Sequence, residues 1–406
     1  MTTPIEPDSS LYRLAVKRPS LLTLIVLISF GSIGAVVVTP AIPAIMDHFH
    51  VGASVAQLIV MLFLVGYSLG QLIYSPVAKR YGRKPALFLG LTLSLLGNIL
   101  CILSAPFNSL FLLVVARFIT ALGASVGLSL TFMIISDYFY EKHARKVTAY
   151  TMLSFAVVPG VGTAIGGFLV TYLGWESSFY FLVLYGFFAL YLVYRLAETS
   201  TEKEVEATKF TRIISAYLRD LKNPILTLHS IIIGSTTAFI YIFAATAPVI
   251  VIRIMGLSPD QFGLLNLIPA AGFFSGNFVS ARLSHHLEIK TVLRLGITLI
   301  GVGVALFALL FLGGWHTPLT LFLPMFVLYF GIPLFYSNAA VIATFRVKDK
   351  LNASSIMSFL NIGGAVIGLS IIELFHSNPL YVLPSVFIFI YLVILLLFRK
   401  GQKLIS

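Results

Sequence analysis

The chain has 406 residues, of which 58% are hydrophobic and only 10% are charged. A water-soluble protein carries about 25% charged residues, so this composition excludes a soluble enzyme and predicts an integral membrane protein. The net charge of +12 does not indicate a nucleic-acid partner, because the basic residues are concentrated on one set of loops in the pattern of a membrane protein.

Twelve apolar runs are each long enough to cross a bilayer, which takes about 20 residues of helix. We number these predicted spans first to twelfth in chain order. Their approximate ranges are 21–45, 55–74, 85–104, 110–135, 147–172, 178–196, 224–251, 261–282, 292–312, 319–345, 354–375 and 380–398. The sequence therefore predicts an all-α integral membrane protein with twelve transmembrane helices.

The distribution of basic residues orients the predicted spans. Loops on one side of the membrane, such as 79–84 and 282–294, are rich in Lys and Arg, whereas 105–109 and 313–316 on the other side contain neither. Basic loops stay in the cytoplasm, and an even number of spans places both termini on the same side. We therefore expect a multi-pass protein of a bacterial inner membrane with both termini in the cytoplasm.

A charged segment divides the chain into six spans and six spans. The predicted units are an N-terminal six-helix bundle over residues 1–197, a cytoplasmic linker over 198–223 and a C-terminal six-helix bundle over 224–406. Within the linker, apolar residues recur at helical spacing from Phe210 to Leu221, with Arg212 and Arg219 among the residues of the opposite face. This pattern predicts an amphipathic helix in the membrane interface, and packing on a soluble partner is the alternative.

Four short motifs are more specific than this general pattern. The loop between the second and third spans contains GQLIYSPVAKRYGRKP at residues 70–85, where we expect a glycine and Pro76 to end one helix. The fourth span contains RFITALGA at 117–124, the fifth contains VPGVGTAIGG at 158–167, and the eleventh begins with NASSIMSFL at 352–360.

Together these motifs resemble the major facilitator superfamily, and they are similar to its bicyclomycin/chloramphenicol-resistance branch of drug:proton antiporters. A fainter copy of the loop motif, GNFVSAR at 276–282, fits an internal repeat. The resemblance implies two six-helix bundles around a central cavity, no cofactor, and a monomer with a small-molecule substrate, membrane lipids and protons as partners. It also implies a secondary-active transporter, without enzymatic activity, that exports a small organic molecule in exchange for protons by alternating access.

The resemblance further implies where the gates lie. The implied gating residues are Lys79, Arg80, Gly82, Arg83, Asp137, Pro159, Gly162, Gly166 and Gly167. The glycines of the fifth span let two helix backbones approach closely, and plain tight packing would explain the same pattern. Lys79 stands where the family carries an Asp that latches the cytoplasmic side, so that latch must be weak or use other partners.

Polar residues inside the spans are the candidates for the substrate site. No carboxylate lies near the centre of a predicted span, and the deeply placed ionisable residue is the cation Arg117. Arg117 either binds an anionic group of a substrate or takes part in proton coupling, or it is a structural residue that reaches the surface or pairs with Glu373 or a carbonyl. The other candidates are Asn338, Tyr67, Tyr241 and Tyr336 for substrate contact, and Glu373 and His229 for coupling.

The lack of a central carboxylate leaves a second hypothesis open. A site that contains an Arg and no acid disfavours cationic compounds and suits neutral or anionic ones. The alternative hypothesis is therefore a transporter of an anionic metabolite or a carboxylate siderophore, for which both export and import are open.

The predicted orientation can be tested with reporter fusions. A reporter enzyme that is active only in the periplasm should be inactive when it is fused after residue 205 and at the C-terminus, because both points are expected in the cytoplasm. A fusion within the loop at 105–109 should be active and serves as the control. Periplasmic activity at either of the first two points would contradict the even number of spans.

Overall fold

The computed structural model describes residues 19–139, 141–200, 204–284, 286–345, 347, 350–375 and 378–405. This described part of the chain is built from helices and contains no strand. In the N-terminal half, the spans are Leu21–Phe49, Ala53–Tyr81, Arg83–Leu103, Leu110–Tyr138, Glu141–Leu173 and Ser177–Tyr194. In the C-terminal half, they are Pro224–Ile254, Pro259–Leu283, Ile289–Leu312, Pro318–Phe345, Lys350–Glu373 and Pro379–Ile405.

The lengths and compositions of these helices suit a membrane. Within the described residues, eleven helices are long and apolar enough to cross a bilayer. The fifth span is a helix of 33 residues whose apolar part is Val157–Leu173. The predicted all-α membrane fold with twelve spans is confirmed.

Irregular turns interrupt the first, seventh and eighth spans, which the sequence predicts as continuous helices. The interruption of the eighth span is at Asn266. The first span contains a 3-10 turn at Thr39–Ala41 that includes Pro40, and the seventh ends in a π-helical turn, Val249–Ile254, directly after Pro248. A proline has no amide N–H and crowds the preceding turn, which favours an irregular turn at these two places, although Pro76 and Pro159 lie inside continuous helices. The regular helices of the interrupted spans are Leu21–Val36 and Ile42–Phe49 in the first, Pro224–Pro248 in the seventh, and Pro259–Leu265 and Leu267–Leu283 in the eighth.

The expectation that the second span ends at Pro76 is wrong. The helix continues through this proline to Tyr81 and ends at Gly82, whose φ of 110° is rarely adopted by any residue with a side chain. The third span begins at the next residue, Arg83, so one glycine makes the whole connection between the two spans.

The same pairs of helices pack in both halves. In the N-terminal half, the fourth span packs against the second and the third, and the third packs against the sixth. In the C-terminal half, the tenth span packs against the eighth and the ninth, and the ninth packs against the twelfth. The protein is therefore one six-helix architecture repeated twice, as the repeated loop motif predicts.

Glycines set the closest approach of helices at matching places in the two halves. A Cβ atom on Gly123 of the fourth span would lie 2.4 Å from the carbonyl oxygen of Gly90 on the third. A Cβ atom on Gly331 of the tenth span would lie 2.8 Å from the carbonyl oxygen of Gly296 on the ninth. A side chain at either place would push the backbones apart, so these glycines fix the spacing of each helix pair.

The two ends of the molecule differ in charge, and we name them accordingly. The basic end contains the turn at 79–84 and the linker helix, Phe210–Leu221. The neutral end contains the turns at 105–109, 174–176 and 313–317, which carry no Lys or Arg.

The linker helix packs one side on the spans and exposes another. Ile213 and Tyr217 pack with residues of the second and eleventh spans, and the Tyr217 hydroxyl donates a hydrogen bond of 3.0 Å to the carbonyl of Leu72. Ile214 and Leu218 are 38% and 55% exposed. The predicted amphipathic helix is present, and one edge of its apolar face packs on the spans while the other edge is exposed. Two side chains of the predicted pattern lie outside the described part of the chain: Phe210 and Arg212.

Polar contacts hold the two halves together at the neutral end. The Thr171 hydroxyl donates to the Asp260 carboxylate at 3.1 Å and accepts a hydrogen bond of 3.0 Å from the Asp260 amide. Arg253 of the seventh span forms an ion pair with Asp47 of the first span and donates to the carbonyl of Pro43 at 3.4 Å. These contacts join the fifth span to the eighth and the first span to the seventh, so they close the neutral end.

The glycines predicted for gating face two different neighbours. A Cβ atom on Gly166 would lie 2.1 Å from the carbonyl oxygen of Val37 in the first span, and Gly162 also faces the first span. A Cβ atom on Gly167 would lie 2.3 Å from the carbonyl oxygen of Pro259, across the boundary between the halves. Gly162 and Gly166 therefore set packing inside one half, whereas Gly167 sets the contact between the halves.

We predict that Gly167→Ala separates the halves at the neutral end. The added methyl group would overlap the carbonyl oxygen of Pro259, and the two spans must move apart to admit it. Spin labels at Phe107→Cys and Trp315→Cys, both exposed at the neutral end of opposite halves, would report a longer distance in this variant.

The matched control for this experiment is Gly52→Ala, because a Cβ atom at Gly52 would have no neighbour within 4 Å. The labels are placed in a Cys101→Ser background, which removes the chain's single cysteine. An unchanged distance distribution in Gly167→Ala would show that this contact does not control closure.

Candidate functional site

Three tyrosines from both halves meet near the middle of the membrane-spanning region. Tyr67 lies near the midpoint of the second span, Tyr241 near that of the seventh, and Tyr336 beyond that of the tenth. Their hydroxyl groups are close enough to interact electrostatically. Asn361 of the eleventh span donates from Nδ2 to the Tyr336 hydroxyl at 3.3 Å. We call these four residues the central tyrosine cluster.

The surroundings of Tyr67 fix its position. Its ring stacks on Phe63 with a centroid distance of 6.2 Å, and it lies directly against Gly31 of the first span. A Cβ atom at Gly31 would lie 2.2 Å from the Tyr67 ring, so an alanine there would force the tyrosine to move. The first span therefore needs a glycine at this level to admit the aromatic side chain.

Several polar atoms in and beside the cluster have no hydrogen-bond partner among the described residues. They are the Tyr67 hydroxyl, the Asn361 Oδ1 atom and the Gln71 Nε2 atom, of which Tyr67 and Gln71 lie near each other without a well-aligned bond, and all three side chains are at least nine-tenths buried. Gln71 lies one helical turn from Tyr67, and its Oε1 atom accepts a hydrogen bond of 2.8 Å from Ser129. A buried polar group without a partner is costly, so this group of donors and acceptors is suited to a ligand with its own hydrogen-bonding groups.

Asn338 forms its described hydrogen bonds with residues outside the central tyrosine cluster. Its Nδ2 atom donates to the carbonyl of Leu334 in its own helix at 2.9 Å, and its Oδ1 atom accepts at 3.4 Å from Ser284, the residue that follows the eighth span. The described bonds of Asn338 therefore join the eighth and tenth spans. Its predicted role in substrate contact stays a prediction.

Arg117 is fully buried within the N-terminal half. Its guanidinium carbon lies 4.1 Å from the centre of the Phe63 ring, which is a cation–π contact, and Cys101 of the third span is within electrostatic range. None of its side-chain nitrogens has a hydrogen-bond partner among the described residues. The side chain therefore neither reaches the surface nor bonds a described carbonyl, and its partner Phe63 also contacts Tyr67.

Polar atoms near Arg117 are also without partners in the described part of the chain. These atoms are the Asn98 Oδ1 atom of the third span and the Thr120 hydroxyl, which lies one helical turn from Arg117 and near the Cys101 thiol without a well-aligned bond. Thr120 packs against Gly97, next to Asn98, so the third and fourth spans bring these groups into one buried region. A buried cation of this kind is expensive, which favours a functional role for it.

The two other candidates for coupling lie at opposite ends of the spans. His229 is buried near the basic end of the seventh span, where its Nδ1 atom is 2.9 Å from the carbonyl of Ile225 and its ring lies against Gly401. Glu373 is the last residue of the eleventh span, and its side chain lies outside the described part. Neither residue belongs to the central tyrosine cluster by any described contact.

The loop motif forms a compact network at the basic end. Arg83 binds Asp137 of the fourth span through two hydrogen bonds, of 2.8 and 3.3 Å, and donates to Ser200 at 2.8 Å. Bidentate pairs of this kind are strong and directional. Arg83 and Asp137, which the sequence named only as separate gating candidates, thus tie the start of the third span to the end of the fourth.

Glu198 completes this network, and the sequence analysis missed it. Its two carboxylate oxygens accept hydrogen bonds of 3.0 Å from the backbone amides of Arg83 and Lys84, at the start of the third span. A carboxylate there satisfies free amides and offsets the positive end of the helix dipole. A Cβ atom at Gly82 would lie 2.6 Å from this carboxylate, which explains the glycine between the spans. Sequence offers no local signal for the pairing, because 115 positions separate Glu198 from Arg83.

The remaining gating candidates are held by the linker or by their own helix. Arg80 donates to the Thr208 hydroxyl, and the Lys79 carbonyl accepts from the Glu204 amide at 3.0 Å. The Lys79 side chain forms no ion pair with a described residue. Pro159 lies inside the fifth helix, where the helix continues on both sides of it.

Two related six-helix halves that close on each other at one end and share a buried polar centre are the architecture of a membrane transporter. The chain belongs to the Major Facilitator Superfamily, whose family model matches residues 22–369. The membership inferred from the motifs is confirmed, and with it the conclusion that the protein is a transporter and not an enzyme.

Relatives and a solved structure agree with this assignment. The chain is 25% identical to a bicyclomycin resistance protein homolog of Haemophilus influenzae over 86% of its length and 87% of the relative. It is also 25% identical to a chloramphenicol resistance protein of Pseudomonas aeruginosa, over 86% of this chain and 83% of that one. A crystal structure of a D-xylose-proton symporter superposes with a TM-score of 0.74 at 14% identity, covering 92% of this chain and 96% of the symporter, which shows the shared fold.

We predict that Arg117→Met folds with a thermal stability close to that of the wild type but transports poorly. The thioether keeps an aromatic contact with Phe63 and fills most of the space, while the buried charge, which has no described partner, is removed. Arg117→Ala instead leaves a cavity and should lower the free energy of unfolding by about 2–5 kcal/mol.

Thermal unfolding of the purified variants and transport in vesicles separate the two roles. A folded but inactive Arg117→Met variant shows that the charge serves function. A variant that loses stability as severely as Arg117→Ala shows that the guanidinium is structural.

Proposed function

We propose that the protein exports a small organic molecule across a bacterial inner membrane in exchange for protons and binds that molecule at the central tyrosine cluster. The observation that carries this proposal is the convergence of Tyr67, Tyr241 and Tyr336 on one place near mid-span from both halves. A site shared by two halves changes its access when one half moves relative to the other, which alternating access requires.

The chemistry of the cluster indicates the kind of substrate. It offers aromatic rings, hydroxyl groups and the amide of Asn361, and neither carboxylate nor ammonium belongs to it. Aromatic walls with a few polar groups suit a largely apolar molecule that carries hydroxyl, carbonyl or amide groups. The cluster contains no carboxylate that could pair with an organic cation.

The direction of transport is supported by the relatives and by the charge of the two ends. Two relatives are named for resistance to bicyclomycin or chloramphenicol, and resistance of this kind is achieved when a compound is expelled. The basic end would face the cytoplasm under the positive-inside rule. The closed neutral end then corresponds to a state in which the periplasmic side is shut.

Proton coupling has three candidate residues outside the cluster, Arg117, His229 and Glu373. Arg117 is connected to the cluster through Phe63, which contacts both Arg117 and Tyr67. Movement of Phe63 would therefore transmit a change at Arg117 to the substrate site. This contact makes Arg117 the first of the three to test.

A buried cation without a described acidic partner also favours a second candidate function, transport of an anionic metabolite or a carboxylate siderophore. Arg117 contacts residues of the N-terminal half, with Phe63 between it and Tyr67. For an anion to pair with Arg117, the Phe63 ring would have to move. This requirement places the second candidate behind the first.

We predict that removing single polar groups of the cluster weakens transport. Tyr336→Phe and Asn361→Ala each remove one member of the hydrogen-bonded pair at the site, so each should lower the transport rate at limiting substrate about tenfold. Tyr391→Phe is the matched control, because its hydroxyl donates to Ile297 within the ninth and twelfth spans.

The measurement is uptake of labelled chloramphenicol and of bicyclomycin into inside-out vesicles, with and without an inward-acidic proton gradient. Export by proton exchange predicts uptake that rises with the gradient and stops when the gradient is collapsed. Equal uptake with and without the gradient would contradict proton exchange. Wild-type rates in both cluster variants would contradict the proposed binding site.

A further inference from the structure

A separate cavity lies at the basic end, between the second span, the linker and the start of the eleventh span. Its volume is about 400 Å³. It is lined by side chains of both halves and of the linker, and the polar ones that carry the argument are Ser75, Lys79, Glu204, Arg219 and Asn352. The second-span residues that line this cavity lie about two to three helical turns beyond Tyr67, so the cavity is distinct from the central tyrosine cluster.

We propose that this cavity binds the phosphate group of an anionic ligand through Lys79, Arg219 and Ser75. Two of the three charged residues that line it are basic. Lys79 is half-buried, and its ammonium group forms no ion pair with a described residue. A half-buried cation of this kind gains most from an anion that carries several acceptor oxygens.

Arg219 supplies the second positive group from the linker helix. Its side chain is 68% exposed, and its Nε atom pairs with the buried Asp220 at 3.2 Å, a bond that uses only one of its five donors. A guanidinium held in this way can offer its terminal nitrogens to a phosphate. Glu204 is the carboxylate of the lining, and it would disfavour a second or third negative charge, which limits the ligand to a phosphate of low charge.

Ser75 is an independent indication of a ligand. It lines the cavity, is only 2% exposed, and its hydroxyl has no hydrogen-bond partner among the described residues. Most buried hydroxyl groups find a partner, and a phosphate oxygen would supply one here. Asn352 also lines the cavity and lies in the first turn of the eleventh span, which begins at Lys350. The positive end of that helix dipole is therefore next to the cavity and favours an anion there.

The position of the cavity gives this site a physical role. It is bordered by the second and eleventh spans, which pack on each other across the two halves, and by the linker that connects those halves. A bound phosphate would therefore add contacts to both halves at the basic end. Ile214 and Leu218 of the linker helix do not line the cavity and are exposed on the other side of that helix, which is suited to the membrane interface, so a membrane lipid is a source of phosphate to test beside a soluble compound.

The experiment uses the full chain, purified in a neutral detergent, and follows its thermal unfolding temperature in titrations with three probes. Phosphatidylglycerol tests a lipid phosphate, diacylglycerol provides the same chains without phosphate, and inorganic phosphate tests a soluble source. We expect phosphatidylglycerol to raise the unfolding temperature and diacylglycerol to leave it unchanged. A rise with inorganic phosphate as well would assign the site to soluble phosphates.

The variants test whether the named residues form the site. Lys79→Gln and Arg219→Gln should each weaken the apparent affinity about tenfold, because each removes a charge-assisted hydrogen bond. Lys209→Gln is the matched control: it removes a cation from the same end of the molecule, where Lys209 pairs with the exposed Glu206, outside the cavity. Its titration should match that of the wild type.

Two further variants keep the test decisive if Lys79→Gln folds poorly. Lys79→Arg keeps the charge and should retain binding, whereas Ser75→Ala removes only the buried hydroxyl and should weaken it. The proposal is overturned if diacylglycerol stabilises the protein as much as phosphatidylglycerol, or if no phosphate probe has an effect. It is equally overturned if the Lys79 and Arg219 variants bind as the wild type does.

Discussion

A lipid bilayer offers no hydrogen bonds, so each buried polar group of this protein must find its partner inside the chain. Most of them do. Ser29, Thr131 and Ser230 bond to carbonyls of their own helices, and Asn338 bonds to Leu334 and to serines of the eighth span. Against this background, the buried atoms without a described partner are informative. They concentrate around the central tyrosine cluster and Arg117, where the proposed function needs groups that can change partners.

The seam between the halves depends on the same constraint. Polar contacts between halves lie at the neutral end, where Thr171 and Asp260 share two hydrogen bonds. In the middle, the second and eleventh spans meet through the Ser68 hydroxyl, which donates to the carbonyl of Phe359 at 3.0 Å. Such contacts can break and re-form without stranding a charge in lipid, because water reaches the ends and neutral groups occupy the middle. Contacts of this kind are suited to the relative movement of the halves that the proposed function requires.

Much of this fold could be predicted from the sequence, because hydrophobic length and basic loops are local properties. The number of spans and the linker helix follow from such patterns, whereas the family resemblance named Arg83 and Asp137 as gating residues without pairing them. The sequence named Tyr67, Tyr241 and Tyr336 as three separate candidates and did not predict that they lie close together. Which neighbour a residue faces is a tertiary property, and helical periodicity does not give it. For that reason the sequence treats Gly166 and Gly167 alike.

Glu198 and Arg117 show the same limit from opposite directions. The carboxylate of Glu198 looks like one charge in a polar linker, yet it accepts the backbone amides of Arg83 and Lys84 and fixes the start of the third span. Arg117 stands out in the sequence as a cation in an apolar helix, yet its described neighbours lie in one half. The role of a charged residue in a membrane protein therefore depends on the groups that surround and compensate its charge. For Arg117 the compensation is an aromatic ring that also touches Tyr67, so the structure connects the charge of Arg117 to the proposed substrate site through one side chain.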